Sequence, residues 1–261
     1  MTNFIVVQTL QAQTNPSQPL LAKPNQFLLG KTGVHIWRVS LEQPAENVER
    51  FRELLSRDEQ GRADRFRFEI DRTHFVVARG CLRTLLAQYL KTVPQEIKFS
   101  YSDYGKPQLA DLETNLRFNL SHSGGLALYA FTRIGEVGVD IERIRPDFAD
   151  EKIARRFFSV SEVACLARLP AQARVEAFFN CWTRKEAFIK AKGMGLSLPL
   201  DQFDVTLEPS KPAALLRTKW GEDEAASWSI EAIEVGQGYV AAVAVKSRSW
   251  QLSCWQLDEK A

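Results

Sequence analysis

Apolar positions along the chain alternate between a period of two and a helical period, with polar turns between the stretches. Val34–Val39 carries apolar side chains at alternating positions and predicts a strand. Glu46–Leu55 predicts a short amphipathic helix. A longer helix is expected from about Asp71 to Tyr89, with Asp71 as its N-cap. Between these helices Asp58–Phe68 is simply charged. Tyr101–Pro107 is a turn, because Gly105-Lys-Pro107 interrupts helix and strand alike. Strands are expected at Arg117–Leu120, Leu126–Thr132 and Gly138–Glu142. Helices follow at Glu151–Phe158, Ser161–Leu169 and Val175–Lys192, then a turn at Met194–Pro199. The remaining strands fall near Phe203–Leu207, Ser227–Ile233, Tyr239–Val245 and Trp250–Leu257. Residues 1–30, rich in Gln, Asn, Pro and Thr, read as a loosely ordered arm.

The order helix, turn, strands occurs twice. Arg72–Leu90 followed by Leu126–Thr132 parallels Val175–Lys192 followed by Tyr239–Val245. A duplication would give two similar α+β halves, 31–135 and 136–261, with a cleft between them.

Composition narrows the function classes. With 261 residues, 45% hydrophobic and 25% charged, the chain can bury a proper core. A formal net charge of +2 gives no global attraction for nucleic acid, so any anion site must be a local cluster of Lys and Arg. Four scattered cysteines and three histidines argue against structural zinc. No signal peptide and no membrane span are read, so a cytoplasmic protein with reduced cysteines is expected.

Three segments carry candidate chemistry. In Gly138-Val-Asp-Ile-Glu142, Asp140 and Glu142 leave one face of the strand while Val139 and Ile141 leave the other. Adjacent carboxylates repel, and a solvated edge strand would tolerate them; a magnesium ion would use them. In Phe178–Lys190, a wheel at ~100° per residue puts Glu186 within the stripe formed by Phe178, Phe179, Trp182 and Ile189, with Lys190 on its rim. A carboxylate there needs a cation, either Lys190 in a structural ion pair or a metal. Phe118-Asn-Leu-Ser-His-Ser-Gly-Gly125 ends a strand in small polar residues, suited to a phosphate or simply to a β-turn. Arg62, Lys106, Arg72 and Arg79 are further candidates for anion contact, the last two on one helical face.

Gly138–Glu142 followed by Trp182-Thr-Arg-Lys-Glu-Ala-Phe-Ile-Lys-Ala-Lys-Gly193 resembles the two-part signature of phosphopantetheinyl transferases. The flanking Phe118–His122 and Gly105-Lys-Pro107 resemble the monomeric Sfp type, and the likeness runs from about Leu55 to the C-terminus. It implies an α+β pseudo-dimer of two similar α+β halves, with the active site in the cleft between them. It also implies transfer of the phosphopantetheine arm of coenzyme A to a serine of acyl or peptidyl carrier proteins, releasing adenosine 3′,5′-bisphosphate. Asp140, Glu142 and Glu186 match the family's magnesium-binding acids, with manganese as an alternative ion. Lys190 and Lys185 resemble its pyrophosphate lysines, and Glu186 and Lys190 are the catalytic candidates. Ser121 and His122 match the segment contacting the 3′-phosphate and ribose, and Lys106 lies toward the adenosine. Arg62 matches a basic, phosphate-contacting position, and Arg72 and Arg79 match arginines of one branch. Glu59 departs from the pattern, standing where some relatives carry a second basic residue. For the carrier, Ile153–Phe158 offers Arg155 and Arg156 beside Phe157 and Phe158 as a docking surface, unless the aromatics are core. Two other readings share these residues: a magnesium-dependent phosphoryl or pyrophosphate-cleaving enzyme, or a catalytically silent coenzyme A-binding module.

Overall fold

The computed structural model describes residues 6–8, 27–111 and 113–258. The elements run β1 (Val6–Gln8), β2 (Gly33–Ser40), α1 (Ala45–Leu54), α2 (Arg57–Ala63), α3 (Glu69–Leu90), β3 (Phe99–Tyr101), β4 (Pro107–Leu109), β5 (Arg117–Ser123), β6 (Leu126–Thr132) and β7 (Val137–Arg143). They continue with α4 (Glu151–Phe157), α5 (Val160–Arg168), α6 (Ala171–Lys192), β8 (Phe203–Val205), β9 (Leu215–Thr218), α7 (Glu222–Ala226), β10 (Ser229–Ala232), β11 (Tyr239–Val245) and β12 (Gln251–Asp258). The fold is α+β, as the patterning implies.

Two long helices cover two antiparallel-rich sheets. The first sheet has the order β1-β12-β2-β6-β5 and the second β10-β11-β7. Alternation sorts the strand side chains into layers. Trp37, Tyr129 and Phe131 pack under α3 against Leu82, Leu85 and Leu86. The opposite faces of the sheets meet, Val34, Ile36, Leu128 and Ala130 against Val137, Val139, Ile141 and Val243. On the far side, Ala242 and Ala244 pack with Phe188 and Ala191 of α6. The two sheets therefore meet through an apolar layer, and Asp140 and Glu142 of β7 lie at its edge.

Two helix starts share a device that periodicity does not show. In the first, Ser56 N donates to Glu59 at the start of α2, and that buried carboxylate takes Arg79 and Arg83 of α3 at 2.5 and 2.6 Å. In the second, Ser159 N donates to Glu162 at the start of α5, and Glu162 takes Lys185 of α6 at 2.8 Å. Both are capping boxes whose acid also holds a cation of a 22-residue helix.

Several expectations change. Asp71 is not the N-cap: α3 starts at Glu69 after extended Phe68, and Asp71 lies in the first turn, where its charge favours the helix end. The charged stretch after Leu55 contains the helix α2, which charge alone conceals. Val6–Gln8, inside the expected arm, pairs with β12, while residues 1–5 and 9–26 of that arm lie outside the described residues. The partition at 135/136 also fails for β12, which leaves the second half to lie parallel to β2 in the first sheet. No described helix is long and apolar enough to cross a membrane.

Gly138 sets the distance between β7 and α6. A Cβ there would stand 2.1 Å from the Ala187 carbonyl oxygen and 2.3 Å from Ala191 N, both helix backbone. The small residues Gly138, Ala187 and Ala191 thus bring strand and helix into direct contact. Gly138→Ala is expected to destabilise the protein by about 3 kcal/mol, read as a lower urea midpoint at unchanged m-value.

Candidate active site

At the edge of the interface β5 runs beside β7, and alternate side chains of β5 bridge to it. Asn119 Oδ1 accepts from Val139 N at 2.9 Å, Ser121 Oγ donates to Asp140 at 2.8 Å, and Ser123 Oγ donates to Glu142 at 2.7 Å. These bonds explain why β5 continues to Ser123 rather than stopping at Leu120. Glu186 and Lys190, one turn apart on α6, face the same corner. Lys190 Nζ donates to Asp140 Oδ1 at 2.6 Å and to Ser121 Oγ at 2.8 Å.

The corner carries three carboxylates against one ammonium. Glu186 is pushed up to about 7, first by burial and then by Asp140, with Glu142 adding and Lys190 opposing. Burial and the Asp140 charge also raise Glu142 above the usual carboxylate range, against the Ser123 hydrogen bond. Asp140 Oδ2 is buried without a hydrogen-bond partner. Buried oxygens are nearly always paired, so this one is suited to a ligand from outside the chain.

These residues fit a hard divalent cation in donor chemistry, since all the candidate ligands are oxygens. They do not form a finished cage. Among the described residues no three His, Cys, Asp or Glu side chains stand ready to hold one ion; Lys190 occupies Asp140 Oδ1 and Ser123 holds Glu142. Magnesium is commonly held by one or two carboxylates, waters and substrate phosphates, and a gathered but open set of acids meets that need.

The comparisons agree with this geometry. Residues 136–244, which include all three acids, match the family model described as the 4'-phosphopantetheinyl transferase superfamily. Residues 40–133 match the one described as 4'-phosphopantetheinyl transferase, N-terminal. Over 237 residues the chain is 39% identical to the 4'-phosphopantetheinyl transferase HetI of Nostoc sp. (strain PCC 7120), covering 90% of this chain and 97% of that one. This chain belongs to the 4'-phosphopantetheinyl transferase family. The transferase is also 32% identical over 210 residues to 4'-phosphopantetheinyl transferase Sfp of Bacillus subtilis (strain 168), covering 80% of this chain and 90% of that one. The solved holo-[acyl-carrier-protein] synthase of Thermotoga maritima aligns with 43% of the transferase and 64% of its own chain, at 22% identity and a TM-score of 0.34, too loose a likeness to place residues.

Other expected residues of the transferase lie elsewhere. Lys185 is fully buried on the opposite side of α6, donating to the carbonyls of Leu200 and Phe203 at 2.6 Å and pairing with Glu162. It is a core cation, not a pyrophosphate lysine, because neighbouring helical positions point about 100° apart. Lys106 Nζ turns inward to the carbonyls of Val137 and Ala191 at 3.2 Å, fastening the last turn of α6 to β7. Arg79 is buried, bound to Glu59 and to Tyr101 and stacked over Phe99, so its charge is already matched inside the first sheet's core. Arg72 pairs with Glu69 at 3.1 Å and lines a separate surface cavity with Arg52 and Asp64. Glu59, the departure from the family pattern, is consumed by the Arg79–Arg83 pairing. Arg62 is exposed, lies 5.1 Å over the Phe75 ring and carries no ion pair among the described residues.

The carrier-docking expectation is also revised. Phe158 is buried in the α6 core, and Phe157 meets Trp182 edge-on. Arg155 and Arg156 remain at the surface, the first paired with Glu151.

His122 extends the strand end beyond Ser121. Burial, then the charges of Lys190 and His74, lower its pKa. Sequence reasoning passed over Asn119 and Ser123, although the polar alternation Asn119, Ser121, Ser123 was a usable signal.

Proposed function

We propose that this transferase moves the phosphopantetheine arm of coenzyme A to a serine hydroxyl of a carrier protein, releasing adenosine 3′,5′-bisphosphate. The observation that carries the reading is the corner where Asp140, with its orphaned oxygen, meets Glu142, Glu186 and Lys190. A divalent ion held by Asp140, Glu142 and Glu186, magnesium or manganese, would neutralise pyrophosphate charge. Lys190 moves between ion-pair partners, leaving Asp140 for a phosphate oxygen and stabilising the departing bisphosphate. Ser121 and Ser123 hold the two strand carboxylates in orientation. The serine proton would pass to Glu186, a buried carboxylate whose pKa is raised by burial and by Asp140, or to a water held at the ion. Arg155 and Arg156 offer positive charge to an acidic carrier surface. The enzyme works as a cytoplasmic monomer in this reading, the two halves of one chain supplying both walls of the site.

The test is incubation of the purified chain with coenzyme A and a panel of apo carrier domains, with magnesium or with EDTA, followed by intact-mass spectrometry. One phosphopantetheine added to a carrier serine is expected with magnesium and is lost with EDTA. Cleavage of coenzyme A while every carrier stays unmodified would overturn the reading.

A further inference from the structure

We propose that Tyr239 is a positioning residue for the carboxylate of Glu142, acting through the turn between β5 and β6 and the hydroxyl of Ser123. The proposal rests on the divalent-ion reading of the acidic corner above. It gives a role to a side chain of β11 that hydrogen-bonds to none of the three acids.

The turn is built to lie close against the second sheet. Ser123 pairs with Leu126 across Gly124 and Gly125, whose φ angles of +55° and +88° suit a tight two-residue hairpin loop. A Cβ on Gly124 would stand 2.6 Å from Arg143 Cδ and 2.9 Å from the Tyr239 hydroxyl. The turn therefore rests on the ends of β7 and β11, where Arg143 and Tyr239 are paired across the ladder. The Tyr239 hydroxyl donates to the Gly124 carbonyl, tying the tip of the first sheet to the second.

Ser123 passes this restraint to the acid. Its hydroxyl is held at both ends, accepting from Arg143 N at 3.2 Å and donating its single proton to Glu142 Oε2 at 2.7 Å. Asp140 is gripped by Ser121 and Lys190 together. Glu142 has the Ser123 hydrogen bond alone among the described residues, which leaves its Oε1 for an ion. The charge of Asp140 opposes that of Glu142, so a carboxylate released by Ser123 would swing away from the corner. Partners that orient a metal-binding side chain contribute to metal affinity without touching the ion. Tyr239 stands one step further out, fixing the backbone that carries the serine.

The experiment titrates manganese into the metal-free protein, alone and with coenzyme A, and reads the free ion by electron paramagnetic resonance. Ser123→Ala is expected to weaken manganese binding about tenfold. Tyr239→Phe keeps the ring but loses the donor, and should weaken it about fivefold. The double variant should stay near the tenfold of the serine change, against about fiftyfold for independent sites. Ser123→Thr, which retains a hydroxyl, should recover most of the affinity. In transfer assays Tyr239→Phe should raise KM for manganese about fivefold and keep kcat within about twofold, a split that a general loss of stability does not produce. A wild type that shows these binding differences but modifies no carrier would overturn the transfer reaction and keep the positioning role. That role falls if folded Tyr239→Phe binds manganese like wild type, if the double variant loses about fiftyfold, or if wild type binds no manganese.

Discussion

Glu186→Gln lowers carrier modification by about a thousandfold and at the same time makes the metal-free protein harder to unfold at alkaline pH. The two effects share a cause. Glu186 is held close to Asp140 and Glu142 in a partly buried corner, so its ionisation is costly until a cation arrives. Its folded pKa, about 7, lies above the 4.5 of an ordinary glutamate. A raised pKa contributes stability that is fully present below about pH 4.5 and is lost as the pH rises through about 7. Glutamine cannot ionise, so the variant escapes that loss. Thermal unfolding in EDTA should give nearly equal Tm values for both proteins at pH 4.5. At pH 8 the variant should lead by about 3 °C. A lower Tm for the variant at pH 8 would mean that Glu186 is a stabilising ion-pair partner, and the functional assignment would fall with it.

Glu59→Ala should cost about 3–5 kcal/mol of stability, because it strands two buried guanidinium groups at once. Burial opposes ionisation of Glu59, but Arg83 and Arg79 outweigh it and keep its carboxyl below the usual range. Removing the acid leaves Arg79 and Arg83 buried beside Phe99, with only the exposed Asp58 near enough to act on their charge. A fall in Tm of about 10 °C is expected, together with a lower urea midpoint. Converting Glu59, Arg79 and Arg83 together to methionine should restore much of the loss, since apolar replacement of a whole buried network is close to neutral. If the single variant unfolds like wild type, the pairing does not support the first half.

Alternation and helical period were sufficient for the long elements. Leu126–Thr132 and Tyr239–Val245 are strands at the expected limits, and β7 and α6 lie where Asp140, Glu142 and Glu186 needed them. Short pairings such as β3–β4 and β8–β9 are set by partners far along the chain and leave little local pattern. Cations were the hardest residues to read. Lys185, Lys106 and Arg79 look like surface charges in sequence, yet each is held by carbonyls or an acid on another element. Glu162 is the clearest case: it is buried by virtue of Lys185 and Val205, neither of them near it in sequence.

The parallel pairing of β12 with β2 has a consequence for how the protein is made. β2 lies between β6 and β12, and β12 (Gln251–Asp258) is synthesised long after β2 (Gly33–Ser40), with every element from α1 to β11 between them. Until then the nascent first half presents an apolar, unsatisfied strand border at β2, a template for pairing with other chains. The first sheet is therefore completed only when β12 reaches β2, and a chain lacking that strand is expected to aggregate through the open border.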